Sequence, residues 1–229
     1  MSGMVQLMAQ DGIECPAYVA QPAGTALGAV VVMQEIFGVN SHIRSVADGF
    51  AQQGYLAIAP HAFHRIQPNV ELGYGPDDIA QGRELKAAAE ALPAPGVMAD
   101  ITSAIMFGAG STGGKVAIVG YCWGGLLVWR SACQLTGLSA AVAYYGGGMT
   151  SAEEARRQAL CPVLCHFGEQ DHAIPLDGVK AFAQAQPHVE VHTYAAQHGF
   201  NCDQRGSYDA EAARLAQERT LAFLSRHLG

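Results

Sequence analysis

Hydrophobic residues along the chain fall into two repeating patterns, short continuous runs and runs at helical spacing. The β-branched run Ala29–Met33 is typical of a strand that is covered on both faces. Similar runs predict further strands at Tyr55–Pro60, Val116–Gly120, Ala140–Tyr145, Val163–Gly168 and Val189–Tyr194. Between these runs the apolar residues recur at helical spacing, as they do over residues 43–50 before the stop signal Gly54.

The N-terminal segment instead predicts a hairpin, with strands Val5–Met8 and Cys15–Ala20 joined at the turn dipeptide Asp11-Gly12. Further helices are predicted over residues 78–91 and 98–108, Leu126–Cys133, Leu176–Ala183 and Glu211–Leu228. This alternation predicts an α/β fold with a mostly parallel, doubly wound sheet, helices on both faces and the hairpin as an antiparallel edge. Because no repeat or linker interrupts the pattern, we expect a single domain over residues 1–229.

Composition and charge exclude several classes of binding partner and bear on the expected cellular location. The 229 residues include 20 acidic and 13 basic side chains, a formal charge of −7, which argues against nucleic-acid binding. No run of about 20 apolar residues predicts a membrane span. The first basic residue is Arg44, so a secretory signal is not expected, and the six cysteines are interpreted as reduced thiols of a cytoplasmic protein.

The residues Gly120-Tyr121-Cys122-Trp123-Gly124-Gly125 lie between a predicted strand and a predicted helix. This is the pattern of a nucleophile elbow, with Cys122 at the position usually held by serine. The glycines suit a sharp turn in which strand and helix backbones approach closely, and the helix N-terminus favours a thiolate. The pattern by itself is common, and its strand–turn–helix context makes it a candidate nucleophile.

A thiol nucleophile needs a base and a group that orients the base. Asp171 follows the strand that ends at Gly168, and His198 follows the strand that ends at Tyr194. The chain order nucleophile, acid, histidine is that of the α/β-hydrolase arrangement, so His198 is the candidate base and Asp171 its orienting acid. Asp171 could also be a helix N-cap or a solvated loop residue, and Glu169 competes for its role.

The connection over residues 61–77 is long for a link between a strand and a helix, and such loops are often functional. We interpret it, with helix 78–91, as a pocket wall together with Phe37, Trp123, Tyr145 and Phe200, although each aromatic could equally be ordinary core. His61 and His64 supply only two candidate ligands, so neither a metal nor a cofactor is expected.

Several segments resemble the dienelactone hydrolase family of carboxymethylenebutenolidase-like α/β-hydrolases. The resemblance covers nearly the whole chain and is carried by Gln34-Glu35-Ile36-Phe37-Gly38-Val39-Asn40, the elbow, Tyr144-Tyr145-Gly146, Gln170-Asp171-His172, His198-Gly199-Phe200 and residues 218–224. It implies a Cys122–His198–Asp171 triad that cleaves small esters or lactones. It also implies an oxyanion hole from the N–H groups of Ile36 and Trp123.

The resemblance further implies that Glu35 lies near the thiol and controls its ionisation. In family members that act on dienelactone, arginine side chains bind the carboxylate of the substrate. Arg83 is a candidate for one of them, while the position four residues after His198 holds Cys202, with Arg205 nearby but displaced. This departure weakens the case for a carboxylated substrate, because a guanidinium fork is not easily replaced.

Two other functions remain open at this point. The same site could cleave thioesters or peptide-like amides, or the fold could be a catalytically silent receptor for a small molecule. In each case the expected partner is a small molecule, and the chain is expected to be a monomer or a small homo-oligomer.

Overall fold

The computed structural model describes residues 2–229, which form two compact units that divide between Ile118 and Val119. The first unit contains β1 (Ser2–Met8), β2 (Glu14–Ala20), β3 (Ala29–Met33), α1 (Ser41–Gln52), β4 (Leu56–Pro60), α2 (Pro76–Glu90) and α3 (Val97–Thr112). The strand β5 (Val116–Tyr121) begins just before the division. The second unit continues with α4 (Trp123–Gln134), β6 (Ala140–Tyr144), β7 (Val163–Gly168), α5 (Leu176–Ala185), β8 (Glu190–Tyr194) and α6 (Ala210–Leu228).

The N-terminal hairpin forms as predicted. β1 pairs antiparallel with β2 from Ser2 opposite Ala20 to Met8 opposite Glu14. The turn is closed by the N–H of Gly12, which donates to the carbonyl of Ala9 at 2.9 Å. Gly12 has a φ of 81°, a left-handed conformation that glycine adopts at little cost.

The strands of the first unit follow the order β1-β2-β4-β3. β3 and β4 pair in parallel, and every residue of both strands is buried, as their continuous apolar sequences predict. Both α1 and α3 pack on these two strands. α1 starts at a standard cap, since the side chain of Asn40 accepts from the N–H of Ile43 at 3.3 Å.

The strands of the second unit follow the order β5-β6-β7-β8, with β6, β7 and β8 parallel. α4 packs on β6, and α6 packs on β6 and β7. Eight mostly parallel strands with an antiparallel hairpin at the edge and helices packed on them confirm the predicted fold class. The single domain over residues 1–229 stays a prediction.

Two predicted helices, α3 and α4, extend three or more residues beyond one of their predicted ends. α3 continues past residue 108 to Thr112, because the hydroxyls of Ser111 and Thr112 donate to carbonyls one turn back and Gly113 caps the end with a φ of 67°. α4 begins at Trp123 rather than Leu126, directly after the elbow. Conversely, β6 ends at Tyr144, since Tyr145 has a φ of 37° that no strand accommodates.

A buried polar network joins α6 to the strands of the second unit. Nη1 of Arg219 donates to the Tyr194 hydroxyl, and this hydroxyl also shares a hydrogen bond of 2.8 Å with Nδ1 of His166. Nε2 of His166 shares a hydrogen bond of 3.0 Å with the hydroxyl of Thr220, which lies 2.6 Å from that of Tyr144. Burial lowers the pKa of His166 well below its ordinary value, so the ring is neutral, with one nitrogen donating and the other accepting.

Within residues 2–229 no helix combines the length and the apolar character that crossing a bilayer requires.

Candidate active site

The turn between β5 and α4 holds Cys122 in a backbone conformation that few side chains adopt. Its φ is 55° and its ψ is −117°. Such a conformation at a residue other than glycine costs about 1–3 kcal/mol, so the surrounding structure has to hold it in place. The N–H of Cys122 donates to the carbonyl of Tyr144 at 3.0 Å, which ties the turn to the end of β6. The thiol therefore lies at the carboxyl end of one strand and the N-terminus of a helix.

Two glycines allow the backbones to come close enough for this turn. A Cβ atom on Gly120 would clash with the carbonyl of Gly124. A Cβ atom on Gly125 would lie 2.8 Å from the Cα of Gly146 and 2.9 Å from the carbonyl oxygen of Tyr144. Backbone atoms cannot yield to such contacts as the end of a flexible side chain can, so both positions require glycine.

Asp171 and His198, which follow β7 and β8, are joined by a short hydrogen bond. Nδ1–H of His198 donates to Oδ2 of Asp171 at 2.7 Å. The other oxygen, Oδ1, accepts from the N–H groups of Ala173 at 2.8 Å and Ile174 at 3.1 Å. These three donors hold the buried carboxylate in one orientation, and the carboxylate in turn orients the imidazole.

The competing carboxylate lies elsewhere. Glu169 is exposed, and its Oε1 accepts from the hydroxyl of Thr193 at 2.7 Å. Asp171 rather than Glu169 is therefore the acid that the fold presents to the histidine.

His198 also shares a hydrogen bond with Cys122. Because Nδ1 is engaged by Asp171, Nε2 is the nitrogen left for the sulfur. Burial lowers the pKa of His198, but the hydrogen bonds with Asp171 and with Cys122 outweigh burial and raise that pKa to about 10. A thiol, an imidazole and a carboxylate connected in this order can perform nucleophilic acyl transfer.

One of the predicted aromatic residues packs beside the histidine. The ring centroid of Tyr145 lies 5.1 Å from that of His198 and 5.3 Å from that of Phe200. Tyr145 and Phe200 are fully buried, and Trp123 is buried in the first turn of α4. The structure therefore brings Tyr145 to the candidate base, and Phe200 packs on Tyr145.

The segment after His198 folds in successive turns that bring Arg205 back beside Gly199. The N–H of Cys202 donates to the carbonyl of Gly199, and the N–H of Arg205 donates to the carbonyl of Cys202. A Cβ atom on Gly199 would lie 2.5 Å from Nη1 of Arg205 and 2.7 Å from its Cζ. The guanidinium group therefore lies against the backbone of the residue that follows His198, although its position in the sequence is displaced from the family pattern.

Four predicted site residues belong to the first unit. Glu35, Ile36 and Phe37 are buried in the segment after β3, and Arg83 is exposed on α2. A Cβ atom on Gly82 would clash with the carbonyl oxygen of Ile36, so α2 passes directly over this segment. The roles of these four residues stay predictions.

The 61–77 connection is tied to the segment that follows β3. The N–H of Leu72 donates to the carbonyl of Phe37 at 2.9 Å, and Nδ2 of Asn40 donates to the carbonyl of Leu72 at 3.0 Å. Arg44 forms a bidentate salt bridge with Glu71, in which Nη1 lies 2.6 Å from Oε1 and Nη2 lies 2.8 Å from Oε2. The long connection is thus fixed by polar contacts within the first unit, which suits a rigid wall better than a mobile lid.

A second group of cysteine, histidine and aspartate side chains, which the sequence analysis missed, lies in the first unit. Ligand atoms of Cys15, His64 and Asp100 lie within 4.8 Å of one another. Cys15 is fully buried, and burial together with the charge of Asp100 raises the pKa of its thiol to about 12. A thiol so buried and so weakly acidic is unsuited to attack a substrate. Because its members come from three distant segments, no sequence spacing indicated this group.

The fold and the strained elbow cysteine define an α/β-hydrolase. The family model of the dienelactone hydrolase family matches residues 15–228, and the chain belongs to that family.

Individual relatives agree with this assignment. Carboxymethylenebutenolidase of Pseudomonas putida is 33% identical over 227 residues, covering 96% of this chain and 95% of that protein. The carboxymethylenebutenolidase of Pseudomonas knackmussii matches to the same extent. A crystal structure from Klebsiella pneumoniae that carries the name of a dienelactone hydrolase superposes with a TM-score of 0.84 at 33% identity, covering 99% of this chain and 98% of that one. The chain is therefore a dienelactone hydrolase-like hydrolase.

The elbow geometry predicts that Gly125→Ala destabilises the protein by about 1–3 kcal/mol, because the new methyl group would overlap backbone atoms of β6 and its following turn. Urea unfolding measures the change. Gly147→Ala is the matched control, since a Cβ atom at Gly147 meets nothing within 4 Å. Equal stability of the two variants would contradict the close approach.

Proposed function

We propose that this chain hydrolyses small esters or lactones through a covalent acyl-thioester on Cys122. The observation that carries the proposal is the position of His198, hydrogen-bonded to Asp171 on one side and to Cys122 on the other. Membership of the dienelactone hydrolase family supports the same reaction class. The reaction needs a reduced thiol, which supports a location in a reducing compartment such as the cytoplasm.

The raised pKa of His198 determines where the proton starts. Its pKa of about 10 keeps the imidazole protonated at neutral pH, next to the sulfur of Cys122. The thiolate attacks the substrate carbonyl, and Nε2–H of the imidazolium protonates the leaving alkoxide as the carbon–oxygen bond breaks. The imidazole, now neutral, takes a proton from water, which attacks the thioester and regenerates the thiolate with the carboxylic acid.

The negative charge that develops on the carbonyl oxygen needs hydrogen-bond donors. The N–H of Trp123 belongs to the first turn of α4 and to the residue that directly follows Cys122, the position that supplies an oxyanion donor in a nucleophile elbow. We assign it, with the N–H of Ile36, to the oxyanion hole, where loss of one donor typically costs about 10²–10³ in rate. In the same proposal, Glu35 controls the ionisation of the thiol, because a nearby carboxylate can accept its proton or suppress its loss.

The substrate we favour carries a carboxylate. The guanidinium of Arg205 lies against Gly199, the neighbour of the catalytic base in this proposal. A guanidinium can bind a carboxylate with two parallel hydrogen bonds, so Arg205 is the candidate for that contact. This supports an anionic ester or lactone, in line with the carboxymethylenebutenolidase relatives. Arg83, exposed on α2, is a second candidate.

Replacement of the nucleophile is the first test. We expect Cys122→Ala to lower ester turnover by at least about 10³-fold, because no attacking group remains. Rapid-quench mass spectrometry of the wild type should detect a mass increase equal to the acyl group on the peptide that contains Cys122. Cys133→Ala removes another partly exposed thiol of the same unit and should keep turnover. Unchanged turnover in Cys122→Ala would refute the proposal.

The pH dependence tests the imidazolium. We expect kcat/KM to fall as the pH rises through about 10, since His198 then loses the proton that the leaving group needs. Asp171→Asn removes a negative charge that raises this pKa. The fall of kcat/KM at high pH, the alkaline limb of the pH profile, should therefore occur about one to three pH units lower.

The measurement is kcat/KM for an ester from pH 6 to 11, corrected for spontaneous hydrolysis. Glu169→Gln is the matched control, because its carboxylate bonds Thr193 and should leave the limb in place. An alkaline limb that Asp171→Asn does not shift would contradict this role of the pair.

A pair of matched esters, one with a carboxylate and one neutral, tests Arg205. We expect Arg205→Gln to lower the ratio of their kcat/KM values by about 10- to 100-fold, as loss of a charge-assisted hydrogen bond does. Arg214→Gln, on the exposed face of α6, is the control for loss of a positive charge. If the ratio does not change, Arg205 does not bind the carboxylate.

A further inference from the structure

We propose that Cys15, His64 and Asp100 form a binding site for a thiophilic divalent cation of the Zn²⁺ type. Cys15 lies in β2, His64 in the 61–77 connection and Asp100 in the first turn of α3. One ligand atom from each residue, a ring nitrogen in the case of His64, lies within 4.8 Å of the ligand atoms of the other two. Ligand atoms around a tetrahedral zinc ion are about 3.3–3.8 Å apart, so shifts of about 1 Å bring the set to that geometry.

The protonation of His64 leaves one ring nitrogen available as a ligand. Nδ1 lies 2.8 Å from the carbonyl oxygen of His61, and a carbonyl can only accept, so the proton is on Nδ1. Nε2 then carries the lone pair, and in the part of the chain that the structure describes it is buried without a hydrogen-bond partner. An unsatisfied buried acceptor is costly, and a metal ligand bond removes that cost. An imidazole that donates its other N–H to a carbonyl is the usual form of a zinc-binding histidine.

Arg65 fixes Asp100 without using up its oxygens. Nε and Nη2 of Arg65 donate to Oδ2 and Oδ1 of Asp100 at 2.8 and 2.7 Å. Each carboxylate oxygen has two lone pairs, so one pair on each remains for a cation. Nη1 of Arg65 also binds Asp11 at 2.6 Å, which turns the guanidinium into a rigid support for the carboxylate.

The charge of the cluster favours a cation. Two carboxylates, Asp11 and Asp100, surround one guanidinium, that of Arg65, so the group carries one net negative charge while the Cys15 thiol is neutral. Binding of Zn²⁺ forms a zinc–sulfur bond and releases the thiol proton to the solvent, which makes the whole group neutral. Three protein ligands leave one position of a four-coordinate zinc ion open, and a water molecule that enters with the ion would fill it.

A cation at this position would connect three segments of the first unit that are far apart in sequence. It would join β2, the 61–77 connection and α3, and so stabilise the folded unit. This structural role is separate from ester hydrolysis, because Cys15 is fully buried and offers no access to a substrate.

The test uses Co²⁺ and Zn²⁺ with the full chain in the Cys122→Ala background, which removes the thiol that shares a hydrogen bond with His198. We expect one equivalent of Co²⁺ to give a thiolate-to-metal absorption band in the near ultraviolet. Calorimetry with Zn²⁺ in buffers of different ionisation enthalpy should show about one proton released per ion. Cys15→Ala and, independently, His64→Gln should abolish the band and raise the Kd for Zn²⁺ by at least about 10²-fold.

Cys165→Ala is the matched control, because it removes another fully buried thiol that lies outside the cluster, and it should keep the band. The use of two ligand variants from different segments guards against loss of folding in one of them. Absence of the band in the Cys122→Ala protein, or its persistence in Cys15→Ala or His64→Gln, would overturn the proposal.

Discussion

The backbone at Cys122 changes from strand to helix at a single residue, with a φ of 55°, and the rest of the candidate site depends on this turn. The strained conformation persists because α4 lies so close to β5 and β6 that Gly120 and Gly125 admit no side chain. The carbonyl of Tyr144 accepts the N–H of Cys122, so the end of β6 helps to hold the turn. The thiol is thereby placed where the carboxyl ends of parallel strands meet, the usual position of ligand sites in such sheets.

The electrostatics of the site follow from a balance between burial and charge. Burial by itself would make His198 a weaker base, yet Asp171 and Cys122 raise its pKa to about 10. Asp171 can do this because two backbone N–H groups and the imidazole hold it in one place inside the protein. In the proposed mechanism the histidine therefore begins as the acid for the leaving group rather than as the base for the thiol.

Charged groups in the first unit have a different role. Arg65 holds two carboxylates together, and Arg44 pairs with Glu71 to fix the 61–77 connection. Such partly buried pairs set the geometry of a segment more than they add to stability. A rigid connection of this kind can keep the proposed cation ligand His64 close to Cys15 and Asp100.

The architecture and the elbow turn could be predicted from the amino-acid sequence alone. Continuous apolar runs between helical spacings predicted the mostly parallel sheet, and the glycines around Cys122 predicted the turn, because both signals are local and depend on backbone sterics. Local pattern also placed Asp171 and His198 after their strands, since strand ends are visible in the sequence.

Which side chains come into contact depends on how the elements pack, and local sequence patterns do not show it. Local pattern left Glu169 as a competitor of Asp171, and the fold excluded it, because both residues follow the same strand and differ in where their side chains point. It also brought Arg205 back over Gly199 through turns that no spacing rule describes. The Cys15, His64 and Asp100 group was invisible in the sequence for the same reason. Its members are about 35 to 50 residues apart, and only packing of β2, α3 and the 61–77 connection brings their polar atoms together.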